Sequence, residues 1–306
     1  MFSYLCKRVL QAAFVVAAVS LLVAFAIRMT GDPAAMMLRE SASVTPEDIA
    51  RIREALGLNR PFLIQYFDFM GGLFSGNMGD SFFRGPIAPL LGQALGATLI
   101  LTVSSLFLSL LLSIPLGIYA ALRRNSWVDQ LIRVGSLAGL SFPNFWLGIM
   151  LMLLFSVSLR LLPPSGFSGW EALIMPSLTI GIILTASNVR LVRTAMLEVL
   201  SSQYIMVVRA KGLSERTVIY KHALRNCAIT LVTYFGLQFG TQIGGLVVVE
   251  QVFNWPGMGT LALEAIAQRD YPILQSVITV LAVMIVVVNM LVDLAYVLLD
   301  PRIRLE

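Results

Sequence analysis

Six long stretches of this 306-residue chain contain no charged side chain. A helix rises 1.5 Å per residue, so about 20 apolar residues are enough to cross the hydrocarbon core of a bilayer. The sequence therefore predicts an all-α, polytopic membrane protein with six transmembrane helices. The fourth stretch is the shortest, and its helix is expected to continue past Arg190 toward Arg193. The six stretches are Val9–Ile27, Leu95–Leu122, Val134–Leu159, Ala172–Val189, Asn226–Val249 and Tyr271–Val292.

The overall composition excludes an ordinary soluble domain. Charged residues make up 13% of the chain and hydrophobic residues 58%, whereas a soluble domain carries about 25% charged residues. The two cysteines, Cys6 and Cys227, lie far apart in the sequence, so neither a disulfide framework nor a zinc site is expected. The net charge of +5 could suggest nucleic acid, but the placement of the basic residues indicates membrane topology instead, and no nucleic-acid partner is expected.

The basic residues predict the orientation of the helices. Lys and Arg in short loops collect on the cytoplasmic side of a membrane. The two short loops on one side hold only Arg160 and Arg269, whereas the loops and termini on the other side hold fourteen basic residues. Both termini are therefore predicted to be cytoplasmic.

The segment 207–226 concentrates much of this cytoplasmic charge and also has a helical pattern. Gly212 interrupts a helical run, and Ser214 is a suitable cap for a second helix with Glu215 in its first turn. Attraction to anionic lipid would explain the charge but not this helix–glycine–helix pattern. The segment is therefore interpreted as a protein-docking element. The apolar stripe of its first helix is predicted at Leu197, Leu200, Tyr204 and Val207.

Polar and small residues inside the fifth stretch are candidates for packing and for a solute pathway. Gly236, Gly240 and Gly244 are spaced four residues apart, which allows a neighbouring helix to approach closely. Gln238 and Gln242 lie about 200° around the helix from the glycines. Two interpretations remain open for these amides: they line a solute pathway, or they bond to neighbouring helices.

Three further polar residues lie within or at the end of predicted helices. Asn144 follows Pro143, and this pair predicts either an unwound segment that lines a cavity or a structural kink. Asn289, in the sixth stretch, is another candidate for the pathway. Glu250 directly follows the fifth stretch, where it could lie at the membrane interface or belong to an outer gate.

The sequence favours a non-catalytic protein. It lacks the pattern G-x-x-x-x-G-K-[ST], so no phosphate-binding loop is expected within the chain. The single histidine, His222, lies among cations rather than beside a nucleophile. A self-sufficient secondary transporter or channel is the main alternative to a transport subunit that is powered by other proteins, but no convincing internal repeat supports it.

The segment 203–226, QYIMVVRAKGLSERTVIYKHALRN, resembles the cytoplasmic coupling loop of ABC importer permeases. Its pattern is similar to that of the peptide/nickel/glutathione branch, although Met206, Val207 and Val208 replace the smaller residues usual there. Motifs along essentially the whole chain support the same resemblance. They are TGDPA, LGLNRP, GDSF, SFPNFWLG, IMPSLTIG, VEQVFNWPGMG, RDYP and LVDLAYVLLDPRIR.

The resemblance implies an ABC type I importer permease fold with two parts. Residues 1–94 would form the first transmembrane helix and a periplasmic segment, and residues 95–300 a five-helix core with a coupling loop at about 198–225. The expected contacts with an ATPase are Arg209, Ala210, Lys211, Gly212, Leu213, Ser214 and Glu215.

The resemblance also implies a location in a bacterial inner membrane, a set of partners and a solute class. The expected partners are a second, homologous permease, two ATPase subunits, a solute-binding protein and membrane lipid. ATP and Mg²⁺ would bind to the ATPases, and no cofactor or metal is expected in this chain. The expected solute is a di- or oligopeptide, and the alternatives are a nickel chelate, glutathione or an opine.

Overall fold

A computed structural model of the protein describes residues 2–29, 45–55 and 59–299. The described chain is mostly helical, as predicted, with one two-stranded hairpin that pairs Ser81 with Gly85. The first helices and the hairpin are α1 (Phe2–Met29), α2 (Pro46–Ala55), α3 (Phe62–Ser75), β1 (Asp80–Ser81) and β2 (Gly85–Pro86). The central helices are α4 (Ile87–Leu122), α5 (Trp127–Ser141), α6 (Asn144–Met152), α7 (Glu171–Leu200), α8 (Gln203–Ala210) and α9 (Glu215–Thr217). The last helices are α10 (Leu224–Gly245), α11 (Val247–Val252), α12 (Met258–Gln268) and α13 (Tyr271–Leu299).

Four of the described helices are long and apolar enough to cross a membrane: α1, α4, α7 and α13. The helix pair in the region of the third predicted span is bent, and it provides a fifth crossing if the two helices count as one span. Helix α10 covers the fifth predicted span and has 22 residues, but it does not meet the same test among the described residues. Its threonines, glutamines and tyrosine make it more polar than the other spans. The count of six and the orientation of the termini therefore stay predictions.

The third predicted span is broken rather than continuous. Helix α5 ends at Ser141, Pro143 precedes α6, and the two arms are bent by 97°. Proline has no N–H and favours an extended residue before it, and Phe142 has that extended backbone. A π-helical segment, Leu153–Ser158, follows α6. By contrast, α4 and α7 continue through Pro115 and Pro176, and α7 extends past Arg193 as expected.

The chain divides into two compact units, each made of two segments. Unit 1 comprises Met1–Ala97 and Pro256–Val286, and unit 2 comprises Thr98–Trp255 and Val287–Glu306. The predicted boundary after residue 94 stays a prediction. In unit 1 an apolar core is formed by the start of α4 together with α12 and α13. Its buried members include Ile87, Leu91, Met258, Ile273 and Val277.

A buried carboxylate holds the hairpin of unit 1. Asp270, which precedes α13, has no exposed surface and accepts hydrogen bonds from the Ser81 hydroxyl and from the backbone N–H of Ile273. A buried carboxylate must be paired in this way because leaving it unbonded costs several kcal/mol. Asp270 therefore ties the hairpin to the start of α13.

The core of unit 2 lies under the predicted docking segment. It joins the end of α4 to α7, α8, a π-helical segment (Val218–Ala223) and α10. The central side chains are Val192, Met196, Ile205 and Val218, and each is fully buried. The docking segment is therefore a packed part of the unit and not a free loop.

Glu250 is buried within unit 2, and its location at the membrane interface or in an outer gate stays a prediction. It has no exposed surface, and the Thr98 hydroxyl donates to its carboxylate over 2.6 Å. Nearby, the backbone N–H of Gly166 donates to the Phe253 carbonyl over 2.9 Å. This end of unit 2 is thus fixed by buried polar contacts.

Several sequence motifs lie outside the described residues. They are TGDPA, the first residues of LGLNRP, and the DPRIR ending.

Candidate functional site

The predicted docking segment begins with a short helix whose buried face differs from the expected one. Ser202 caps α8 by accepting a hydrogen bond from the Ile205 N–H. Ile205 is fully buried, whereas the predicted stripe residues Tyr204 and Val207 are about half exposed. The chain also ends one helix at Leu200 and starts the next at Gln203, so the expected continuous helix is wrong.

The turn after α8 has the conformation that its glycine predicts. Gly212 has a φ of +76°, a left-handed region that favours glycine. Its N–H donates to the Arg209 carbonyl over 2.9 Å. Ser214 then caps α9 by accepting from the Thr217 N–H, as predicted. Leu213, between these two residues, is 40% exposed despite being apolar.

The charges on this turn are exposed and only partly paired with one another. Arg209 and Glu215 form an ion pair across the turn, with Arg209 Nε 2.8 Å from Glu215 Oε1. An exposed pair of this kind contributes about 0–1 kcal/mol, so its main effect is to orient the two side chains. The exposed basic side chains around the turn are Lys211, Arg216, Lys221 and Arg225.

A contact that sequence reasoning missed joins the two arms of the turn. The Tyr204 hydroxyl lies 2.7 Å from Nδ1 of His222. Tyr204 belongs to α8, and His222 belongs to the π-helical segment that precedes α10. The two residues are eighteen positions apart, and no short-range pattern links them. We call the segment Gln203–Ala223 the elbow: its buried base includes Ile205 and Val218, and its exposed tip includes Gly212 and Leu213.

The base of the elbow packs against two long helices. Val192 and Met196 of α7 and Cys227 of α10 pack in the same buried cluster as the base. Protein interiors are close-packed and transmit displacement instead of absorbing it. A push on the exposed tip would therefore move the ends of α7 and α10.

Two of the three glycines of α10, Gly236 and Gly240, lie against α13. A Cβ added to Gly236 would lie 2.5 Å from Val292 Cγ2, and one added to Gly240 would lie 3.1 Å from Asn289 Oδ1. Gly244 differs, because no described atom lies within 4 Å of the same position. Asn289 thus lies beside the glycine face.

The predicted pathway amides lie in different surroundings. Asn188 of α7 donates one hydrogen bond to Gln238 Oε1 over 3.0 Å and another to Ser109 Oγ over 2.8 Å. Gln242 is half-buried, and Asn144 is exposed at the start of α6. The interhelical bond of Gln238 is the feature that the packing interpretation expects. A role in the pathway stays a prediction for Asn144, Gln238, Gln242 and Asn289.

Gly236→Leu is expected to destabilise the protein by about 1–3 kcal/mol because the side chain would overlap Val292. The melting temperature of the detergent-solubilised complex checks this. Gly244→Leu is the matched control on the same helix, where the structure leaves space, and it should melt close to wild type. Equal melting temperatures for both variants would contradict close packing at Gly236.

Comparison with known proteins agrees with this architecture. Residues 113–305 match a family described as the binding-protein-dependent transport system inner membrane component. Residues 1–101 match the N-terminal region described for the same transport systems. The chain is 38% identical over 306 residues to the glutathione transport system permease protein GsiC of Salmonella typhimurium and to that of Escherichia coli K12. In both cases the match covers 99% of each chain.

Solved structures support the fold. An inward-facing structure of the MetNI methionine ABC transporter matches with a TM-score of 0.59 and 19% identity. That match covers 69% of this chain and 96% of the other. The chain is the non-catalytic permease component of an ABC importer of the peptide/glutathione branch. It therefore belongs to the family of binding-protein-dependent transport system inner membrane components.

Proposed function

We propose that this permease imports small peptides, with glutathione as the first candidate, and that partner ATPases drive it through the elbow. The observation that carries the coupling role is the division of the elbow into a buried base and an exposed tip. Ile205 and Val218 are fully buried beside α7 and α10, whereas Leu213 is 40% exposed. An exposed apolar side chain flanked by cations suits a groove on another protein.

The relatives support the solute class. Proteins that are 38% identical over 99% of the chain carry the name of glutathione transport permeases. Glutathione is a tripeptide, so it falls within the peptide class that the sequence motifs predict. A nickel chelate or an opine has no comparable support among these relatives.

The proposed assembly has the partners that the sequence predicts. A second, homologous permease completes the membrane pathway, two ATPases bind ATP and Mg²⁺, and a solute-binding protein delivers the peptide from outside. Both termini and the elbow would face the cytoplasm, where the ATPases are located. ATP binding would draw the ATPases together and, through the elbow, move α7 and α10.

Uptake into proteoliposomes tests this proposal. We expect the complete assembly, with its binding protein, to accumulate radiolabelled glutathione or a labelled dipeptide only when the ATPases hydrolyse ATP. A catalytically dead ATPase is the matched control and should reduce accumulation to background. Full-rate uptake by this chain alone, down a gradient and without ATP, would contradict the proposal and favour a secondary transporter.

A further inference from the structure

Helix α3 is strongly apolar although it belongs to the segment expected in the periplasm. It carries one charged side chain, Asp68, in 14 residues, whereas the neighbouring α2 carries five in ten. Four large apolar side chains of α3 are about half exposed or more. They are Leu63, Ile64, Phe67 and Phe74. An exposed apolar surface of this kind marks contact with another molecule or with a membrane.

The exposed apolar side chains share one side of α3. At 100° per residue, Leu63, Phe67 and Phe74 fall within an arc of about 40°, and Ile64 lies about 60° beyond Phe67. Phe69 lies about 160° from Phe67 around the helix, and it is half-buried. One side of α3 therefore packs within unit 1, and the other side faces outward.

Contacts with α1 place the start of α3 beside one end of that long apolar helix. Arg28 directly follows the charge-free stretch of α1, so it marks the boundary of the span on the side predicted to be outer. The guanidinium carbon of Arg28 lies 4.4 Å from the centre of the Phe62 ring, and Arg28 also donates a hydrogen bond to Gln65 Oε1. The first turn of α3 is therefore located at the membrane boundary.

A second contact between the two helices lies well inside the span. The Tyr66 hydroxyl lies 2.8 Å from Ser20 Oγ and 3.2 Å from the Ala17 carbonyl oxygen, and both Tyr66 and Ser20 are buried. Ser20 lies eight residues before Arg28, which is about 12 Å along α1, and half of the hydrocarbon core is about 15 Å thick. Tyr66 therefore lies beside the membrane-embedded part of α1 and not above the membrane.

The far end of α3 has the features of a helix that enters a bilayer and returns. A helix of 14 residues is about 21 Å long, too short to cross a core of about 30 Å. Gly76 ends the helix with a φ of +76°, and the chain then reverses, because a Cβ added to Gly72 would overlap the Asn77 carbonyl oxygen. The Ser75 hydroxyl donates to the Gly72 carbonyl over 3.1 Å, and the Gly79 N–H donates to Asn77 Oδ1 over 3.4 Å. Internal bonds of this kind are required where lipid offers no hydrogen-bonding partner.

We propose that α3 is a re-entrant helix in the outer half of the bilayer and that its exposed apolar face binds lipid acyl chains. Lipid is the occupant that the contacts favour, because this face continues the exposed apolar surface of α1, which includes Leu22 and Phe25 close to Ser20. The charged groups Arg60 and Asp68 pair with each other over 3.1 Å and stay exposed, as suits groups at the level of the lipid headgroups. Such a contact would anchor the outer segment of unit 1 whatever solute the importer carries.

Site-directed spin labelling tests the proposal in the complete importer held in nanodiscs, in a background without native cysteines. Single labelled cysteines are placed on the exposed face of α3 by Phe67→Cys and Phe74→Cys. The matched control is Arg51→Cys, an exposed position on α2, and a spin-labelled phospholipid in the same nanodiscs is the lipid reference. The measurement is the collision rate of each label with oxygen, which concentrates in hydrocarbon, and with a neutral polar nickel chelate, which stays in water.

We expect the oxygen-to-chelate ratio at both α3 positions to match that of the phospholipid and to exceed that of Arg51→Cys by about tenfold or more. The reason is that moving a polar chelate into hydrocarbon costs more than the roughly 1.4 kcal/mol that corresponds to a factor of ten. A ratio equal to that of Arg51→Cys at either α3 position would overturn the proposal, because the face would then be in water. Slow collision with both reagents would also overturn it, because a partner protein would then cover the face.

Discussion

A Gly212→Val variant is expected to insert and assemble normally but to lose roughly 30-fold in solute imported per ATP hydrolysed, the loss expected when a docking contact worth about 2 kcal/mol is removed. Gly212 has a φ of +76°, and an L-residue in the left-handed region costs about 1–2 kcal/mol. A β-branched residue is an outlier there. Relief of this strain would redirect Leu213, which is exposed at the tip of the elbow. Uptake and hydrolysis measured in the same proteoliposomes give the ratio.

Two variants separate the possible causes of that loss. Gly76 also has a φ of +76° but lies after α3, so Gly76→Val introduces the same strain elsewhere and should leave coupling unchanged. Gly212→Asn keeps the turn, since asparagine tolerates this conformation, and it tests whether the added side chain itself blocks docking. A Gly212→Val importer with wild-type uptake per ATP would rule out docking through this turn.

In the elbow, local sequence rules predict the turn and the helix cap but not the buried face of α8. Gly212 and Ser214 have the conformation and the cap that their residue types predict. The buried face of α8 could not be predicted, because Tyr204, Ile205 and Val207 lie within a nearly continuous apolar run. Periodicity cannot choose between two apolar faces, and the choice depends on which face meets α7 and α10.

In the membrane helices, local sequence patterns likewise cannot predict which polar groups are buried. The lengths of the apolar stretches correctly predicted the long apolar helices α1, α4, α7 and α13. This succeeds because crossing a bilayer depends mainly on length and composition. The buried Glu250 carboxylate accepts a hydrogen bond from Thr98, a partner 152 residues away. Such a contact has no signature in the residues that flank either partner.

The sequence of α10 places several hydroxyl and amide side chains on one helical face. The spacing of Asn226, Thr230, Tyr234 and Thr241 follows a helical face, and it is readable without a structure. The structure shows that Gln238 is bonded to Asn188, whereas the hydroxyl-bearing face is exposed.

Asp129→Ala is expected to destabilise the protein strongly, at the lower end of the roughly 3–5 kcal/mol that follows the loss of one partner from a buried ion pair. Arg193 donates to the Asp129 carboxylate through Nε over 2.6 Å and through a terminal nitrogen over 2.7 Å. The Asp129 side chain has no exposed surface, and that of Arg193 is 16% exposed. The pair joins α5 to α7, so its loss would leave a cation between two helices. The melting temperature of the solubilised complex should fall by several degrees.

Two controls show whether the ion pair itself is responsible. Asp68→Ala breaks a surface pair with Arg60, in which both side chains are more than half exposed, and it should cost only about 0–1 kcal/mol. The double variant Asp129→Leu with Arg193→Met removes both charges and should recover most of the lost stability, because no buried charge is then unpaired. If the double variant melted at as low a temperature as Asp129→Ala, the loss of stability would come from packing and not from the unpaired guanidinium of Arg193.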